Sequence, residues 1–185
     1  MVELETTQLS DDALVSRFRR GDVEAFGALY KRHRRGLFGY ALSLTRDESK
    51  AADAVQELWL GLIENVERLA SVVNVQGYLY RSLRNRVMDE YRRRQREQKA
   101  LGDTDPAMTL VRPKDTVVSK EEAAKLNEAL KRLPQEQQEV VLLRIYAEMK
   151  FADIADVLQT NTKTVESRHR LALEKLRDWL QTTDT

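Results

Sequence analysis

The 185-residue chain has no cysteine. That excludes disulfides, thiolate metal sites and direct thiol redox sensing, and it fits a reducing cytoplasm. Glycine and proline are scarce, at seven and three residues. Both interrupt helices, and Leu, Ala, Glu, Arg and Gln abound, so the bias is towards helix. A strong charge of either sign is also missing. The formal net charge is +1, so any affinity for nucleic acid must come from local patches. No stretch approaches the ~18 apolar residues of a membrane span, so no membrane insertion is expected. The acidic opening "MVELETTQLSDDALV" does not read as a secretory signal. Chemistry-bearing residues are few. The two histidines are His33, in a basic run, and His169, on the inner side of a helix. No phosphate loop or metal-ligand cluster appears. An enzyme, such as a recombinase with a DNA-binding tail, is not expected, and neither is a metal or cofactor.

What is there is helical periodicity. Asp11 or Asp12 is expected to cap a first helix that ends at Gly21-Asp22. A second helix, "VEAFGALYKRHRRGLFGYALSLT", has an apolar side of Phe26, Leu29, Tyr30, Leu37 and Tyr40. A third, "DESKAADAVQELWLGLIENVERL", places Val55, Leu58, Trp59, Leu62, Ile63 and Val66 on one stripe. Its other face holds Asp53, Gln56, Glu57, Leu60, Glu64 and Glu67. Leu60 is the outlier on that acidic surface: one exposed leucine is ordinary, but on a face of acids and glutamine it also reads as a protein-binding anchor. Residues 97–118 lose the pattern and carry two prolines and a glycine. A linker of that length is unusual inside one compact domain. The expected fold is therefore all-α. It has a helical domain over 11–96, a flexible linker over 97–118 and a second helical domain over 119–182. In the second, Pro134 is expected in the first turn of a helix.

Residues 77–96, "GYLYRSLRNRVMDEYRRRQR", hold seven arginines and three tyrosines. On a helix, Leu79, Tyr80, Leu83, Val87 and Tyr91 share one side. Tyr78, Arg81, Asn85, Met88, Arg92 and Arg96 share the other. From Gly77 to Lys99 eight bases oppose three acids, a balance of +5. Arginines neutralise phosphates without choosing a sequence. An aromatic ring offers a platform for an unstacked base, and an asparagine amide can bond a base edge. The combination suits DNA whose strands are being separated.

"FADIADVLQTNTKTVESRHRLALEKL" has the layout of a helix-turn-helix. Ile154, Ala155 and Leu158 face inward on its first helix, and Asn161 suits the N-cap of the second. A recognition helix presents its exposed N-terminal residues to the major groove. Lys163, Thr164, Glu166, Ser167 and Arg170 are the candidate readers, and Arg168, nearer the apolar edge, is a candidate for a phosphate contact or a structural role.

In this order the segments resemble an extracytoplasmic-function (ECF) sigma factor, the small two-domain class of the sigma-70 family. "DAVQELWLGLIENVERL" resembles that family's polymerase-docking helix. "GYLYRSLRNRVMDEYRRRQR" is similar to its promoter-melting and −10-recognition helix, and "ALKRLPQEQQEVVLLRIYAEMKFADIADVL" with "TVESR" resembles its −35-binding domain. The resemblance implies a cytoplasmic transcription initiation factor that directs core RNA polymerase to promoters. Asp53, Gln56, Glu57 and Leu60 would dock on the β′ coiled coil. Tyr78, Arg81, Arg84, Asn85, Arg92 and Arg93 would act at the −10 element. Lys163, Thr164, Glu166, Ser167, Arg168 and Arg170 would act at −35, with the second domain touching the β flap. An anti-sigma factor is a further implied partner. Gln159 and Thr160 depart from the Gly-apolar pair common at the family's turn, Phe151 replaces another aromatic, and Glu166 stands where a base is common.

Overall fold

The computed structural model describes residues 8–101 and 120–182. Among these residues there are eight α-helices, one 3₁₀ segment and no strand. They are α1 (Asp11–Arg19), α2 (Val23–Thr45), α3 (Glu48–Glu64), the 3₁₀ segment Val66–Ser71, α4 (Val75–Leu101), α5 (Lys120–Lys131), α6 (Gln135–Ala147), α7 (Phe151–Leu158) and α8 (Thr162–Thr182). The all-α reading holds.

Short polar side chains start five of these helices by taking an otherwise unpaired backbone N–H. Asp22 accepts from Ala25 and Asp47 from Lys50. Asn74 accepts from Gly77 and Asn161 from Thr164. For α1 the cap is Ser10, which accepts from Ala13. Asp11 and Asp12, expected as caps, sit instead in the first turn, where their charge complements the helix dipole. Pro134 likewise stands one residue earlier than expected, at the N-cap of α6. The third helix stops at Glu64 and tightens into the 3₁₀ segment. At its other end α4 runs on to Leu101, so residues 97–101 are helix where the pattern predicted linker. The rest of that expected linker lies outside the described residues.

The apolar stripes of α2, α3 and α4 meet in a core that includes Leu29, Leu37, Tyr40, Leu58, Leu62, Leu79 and Leu83. This core does not end with the N-terminal helices. Val140, Leu142, Leu143, Met149, Ile154 and Val157 belong to the same cluster. A smaller cluster, with Leu130, Leu133, Val141, Ala172 and Leu176, binds α5, α6 and α8 together. Helix α6 packs on α2, and α7 packs on α4. The N-terminal and C-terminal helices are therefore closed on one another.

Two glycines make that closure possible. A methyl group at Gly36 would collide with the Tyr146 carbonyl oxygen and the Tyr80 hydroxyl. One at Gly39 would stand 2.7 Å from the Tyr146 ring. Gly36 and Gly39 thus form a slot in α2 that admits the end of α6. Around it Tyr80 donates to the Tyr146 carbonyl at 2.9 Å, and Gln76 donates to the Ala147 carbonyl at 2.7 Å. Asn74 donates to Asp153 at 2.7 Å. Deeper in the junction the buried Glu139 carboxylate accepts from Tyr40 at 2.8 Å and from Arg84 at 2.6 Å. Burial, then the Glu139 charge, pushes the Tyr40 hydroxyl pKa well above its usual value. Burial works against the Arg84 charge, but its bond to Glu139 raises its pKa on balance. Arg84 and Glu139 therefore meet as a buried ion pair between the two halves.

Candidate nucleic-acid interface

Three exposed or half-exposed faces carry the candidate residues. The first is the outer side of α4. Asn85 is exposed, and no hydrogen-bond partner reaches it among the described residues. Tyr78 and Arg81 are only half-exposed. Tyr78 packs against the shared core, and the Arg81 Nε is buried with no partner. Arg84 points into the junction and is held by Glu139. Arg92 and Arg93 are exposed, yet each lies beside an acid one turn away. Arg92 meets Asp89 at 3.1 Å and Arg93 meets Glu90 at 2.8 Å. Such exposed pairs are screened by solvent and hold their side chains only weakly. The signal for this self-pairing was in the sequence, in the i, i+3 spacing of Asp89 to Arg92 and Glu90 to Arg93.

The second face belongs to α7 and α8. Gln159, which stands where the resembled family often has glycine, ends α7 in the left-handed region at φ 53°. Thr160 then donates back to the Ala155 carbonyl at 2.9 Å, closing the turn. Behind the turn Phe151 stacks near His169, with ring centroids 5.1 Å apart. The Arg144 guanidinium lies over the same Phe151 ring. Burial, with Arg144 nearby, lowers the His169 pKa. His169 is thus a packing residue of this joint. On the outer side Lys163, Glu166, Ser167 and Arg170 are exposed. Thr164 spends its hydroxyl on the Asn161 cap at 2.9 Å. Arg168 pairs with Glu136 of α6, and Arg170 with Glu174 at 2.9 Å.

The third face lies on α3. Asp53, Gln56, Glu57 and Leu60 are all exposed, and Leu60 keeps half of its surface open to solvent. Beside them runs an apolar groove between α2 and α3, lined by Phe26, Tyr30, Trp59 and Ile63 with Arg34 and Arg35 on its rim. Periodicity put Tyr30 and Ile63 in the core. They are 38% and 47% exposed and extend the Leu60 patch instead. Glu57 reaches Arg86 of α4 at 2.8 Å, which ties this face to the arginine helix.

His33 is the remaining residue that its surroundings in the sequence do not place. It lies in the run "KRHRR", yet it is buried, with Nε2 2.6 Å from Asp11 Oδ2. Arg32 donates to the other Asp11 oxygen at 2.6 Å. Burial works to raise the Asp11 pKa, but the bonds and charges of His33 and Arg32 lower it on balance. The network pins α1 to α2.

The faces correspond to known sequence modules. The family model for Sigma-70 region 2 matches residues 29–97, and that for Sigma-70 region 4 matches residues 123–176. The RNA polymerase sigma factor NccH of Alcaligenes xylosoxydans xylosoxydans is 31% identical over 178 residues, which is 94% of this chain and 96% of that protein. The chain belongs to the ECF family of RNA polymerase sigma factors. The ECF RNA polymerase sigma factor SigL of Mycobacterium tuberculosis (strain Erdman) is 32% identical, across 91% of this chain and 96% of its own. The fold agrees. The sigma factor RpoE, solved with the anti-sigma factor NepR from Bartonella quintana, superposes with a TM-score of 0.70 at 22% identity, over 84% of this chain and 96% of that one. CnrH, solved with the cytosolic domain of CnrY, gives 0.68 at 24% identity, over 93% and 97%. As a sigma factor of this class the chain directs RNA polymerase to promoters. It is a transcription initiation factor rather than an enzyme of the ordinary kind. Among the described residues no helix is long and apolar enough to cross a membrane.

Proposed function

We propose that the three faces divide the work of initiation. Asp53, Gln56, Glu57 and Leu60, with the adjoining groove, dock on the β′ coiled coil of core polymerase. Helix α8 enters the major groove at the −35 element, and the C-terminal helices touch the β flap. Helix α4 takes the −10 element. Arg92 and Arg93 exchange their acidic neighbours for downstream phosphates, and flipped bases settle against Tyr78 and Asn85. Binding energy opens the strands, and this chain makes or breaks no bond. The domains proposed for these roles are residues 11–96 and 119–182, joined by 97–118, and they act in the cytoplasm. The observation that carries this reading is Asn85, an exposed amide with no partner among the described residues, in the middle of an arginine-rich helix.

The closed packing adds a condition. Arg84 becomes available to DNA only when Glu139 of α6 releases it. RpoE was solved with the anti-sigma factor NepR, which supports a similar inhibitor for this chain. Run-off transcription with core polymerase tests the assignment. Asn85→Ala should lower −10 selectivity while core binding is retained. Unchanged selectivity would remove Asn85 from the reading role. A free-standing operator-binding regulator would instead bind duplex tightly without core, so gel shifts with and without core separate the two.

A further inference from the structure

We propose that Glu166 imposes a cytosine requirement at one step of the upstream duplex. This inference rests on the reading of α8 as the major-groove helix. On the N-terminal outer side of α8 several candidates are already engaged. The Thr164 hydroxyl bonds the Asn161 cap, Arg168 bonds Glu136, and Arg170 bonds Glu174. Lys163, Glu166 and Ser167 are exposed, and no partner reaches them among the described residues. Three residues apart on a helix, Lys163 and Glu166 are neighbours, yet they do not pair.

An ionised carboxylate accepts hydrogen bonds and donates none. In the major groove guanine presents N7 and O6 and thymine presents O4, all acceptors. Glu166 would face them acceptor to acceptor, desolvated and unpaired, which is costly. Adenine offers its N6 amino group, but the N7 acceptor beside it opposes the second carboxylate oxygen. Cytosine offers the N4 amino group with no acceptor beside it on the same base. It is therefore the base that Glu166 accepts best. The surrounding phosphates strengthen the requirement, because an acid that finds no donor among them only repels. Lys163, one turn earlier, has the opposite part. It neutralises a phosphate whatever the sequence.

The test uses holoenzyme assembled with the full chain and a promoter library randomised through the upstream element. The wild type should select cytosine at one position by about tenfold or more over guanine and thymine. Glu166→Ala should flatten the preference at that position and leave the others unchanged. Glu166→Gln should move it towards adenine, whose N6 and N7 suit an amide. Lys163→Ala should weaken binding to every sequence alike. If Glu166→Ala keeps the wild-type base pattern and merely binds all sites more tightly, Glu166 is a solvated acid and the proposal is overturned. If neither Lys163→Ala nor Glu166→Ala alters upstream binding, α8 does not lie in the groove, and the proposal falls together with the reading beneath it.

Discussion

Helices α4 and α8 both present cations and polar groups suited to DNA, but the closed chain treats them differently. The reading edge of α8 faces solvent from Lys163 to Arg170. On α4 the chain itself occupies much of the face. Arg84 is held by Glu139, Tyr78 packs on the shared core, and the Arg81 Nε is buried. The face proposed to read the upstream element is thus open in the free chain, whereas the face proposed for melting is partly covered. The contrast follows from where α6 and α7 pack, and that packing rests on the glycine slot in α2.

Filling the slot should have the largest effect. Gly36→Val would drive a branched side chain into the Tyr146 backbone. Overpacking of this kind costs on the order of 1–3 kcal/mol, which here is relieved by separating the halves. Small-angle scattering should show expansion, and the free chain should gain affinity for a single-stranded −10 oligonucleotide. Next comes Glu139→Ala. It leaves Arg84 and the Tyr40 hydroxyl without their partner. Breaking a buried pair costs about 3–5 kcal/mol when nothing relaxes. Arg84 keeps a quarter of its side chain exposed, so the loss in urea denaturation should be smaller, about 2 kcal/mol. The same change should raise single-strand binding, which sharpens the comparison. Lys163→Ala addresses the other helix. It should weaken upstream duplex binding by a few fold and reduce the salt slope by about one.

The smallest expected effect concerns Asp11. His33 and Arg32 hold its pKa below the unfolded value. Its contribution to stability is therefore present above about pH 4 and lost as pH falls through the lowered value. Thermal melts of Asp11→Asn and wild type should differ at pH 7, by a few degrees, and converge in strong acid. Duplex binding by α8 should not change.

The sequence made much of this legible. The buried stripe of α3 and the exposed Asp53, Gln56, Glu57 and Leu60 are local consequences of helical period. Long-range partners were not legible. Periodicity says that Tyr40 faces inward but not that it meets Glu139, 99 residues away. The basic neighbours of His33 do not reveal its burial, which only the docking of Asp11 explains. The one available hint of closure was Gly36 and Gly39, three apart inside a helix where glycine costs about 1 kcal/mol against alanine. Such a pair signals close approach, but it does not name what approaches.

The most direct measurement is the affinity of a labelled single-stranded −10 oligonucleotide for the chain with and without core polymerase. Strong binding with core and little or none without it is the predicted result. Equal binding by the free wild-type chain would contradict a covered melting face that becomes available only on the polymerase.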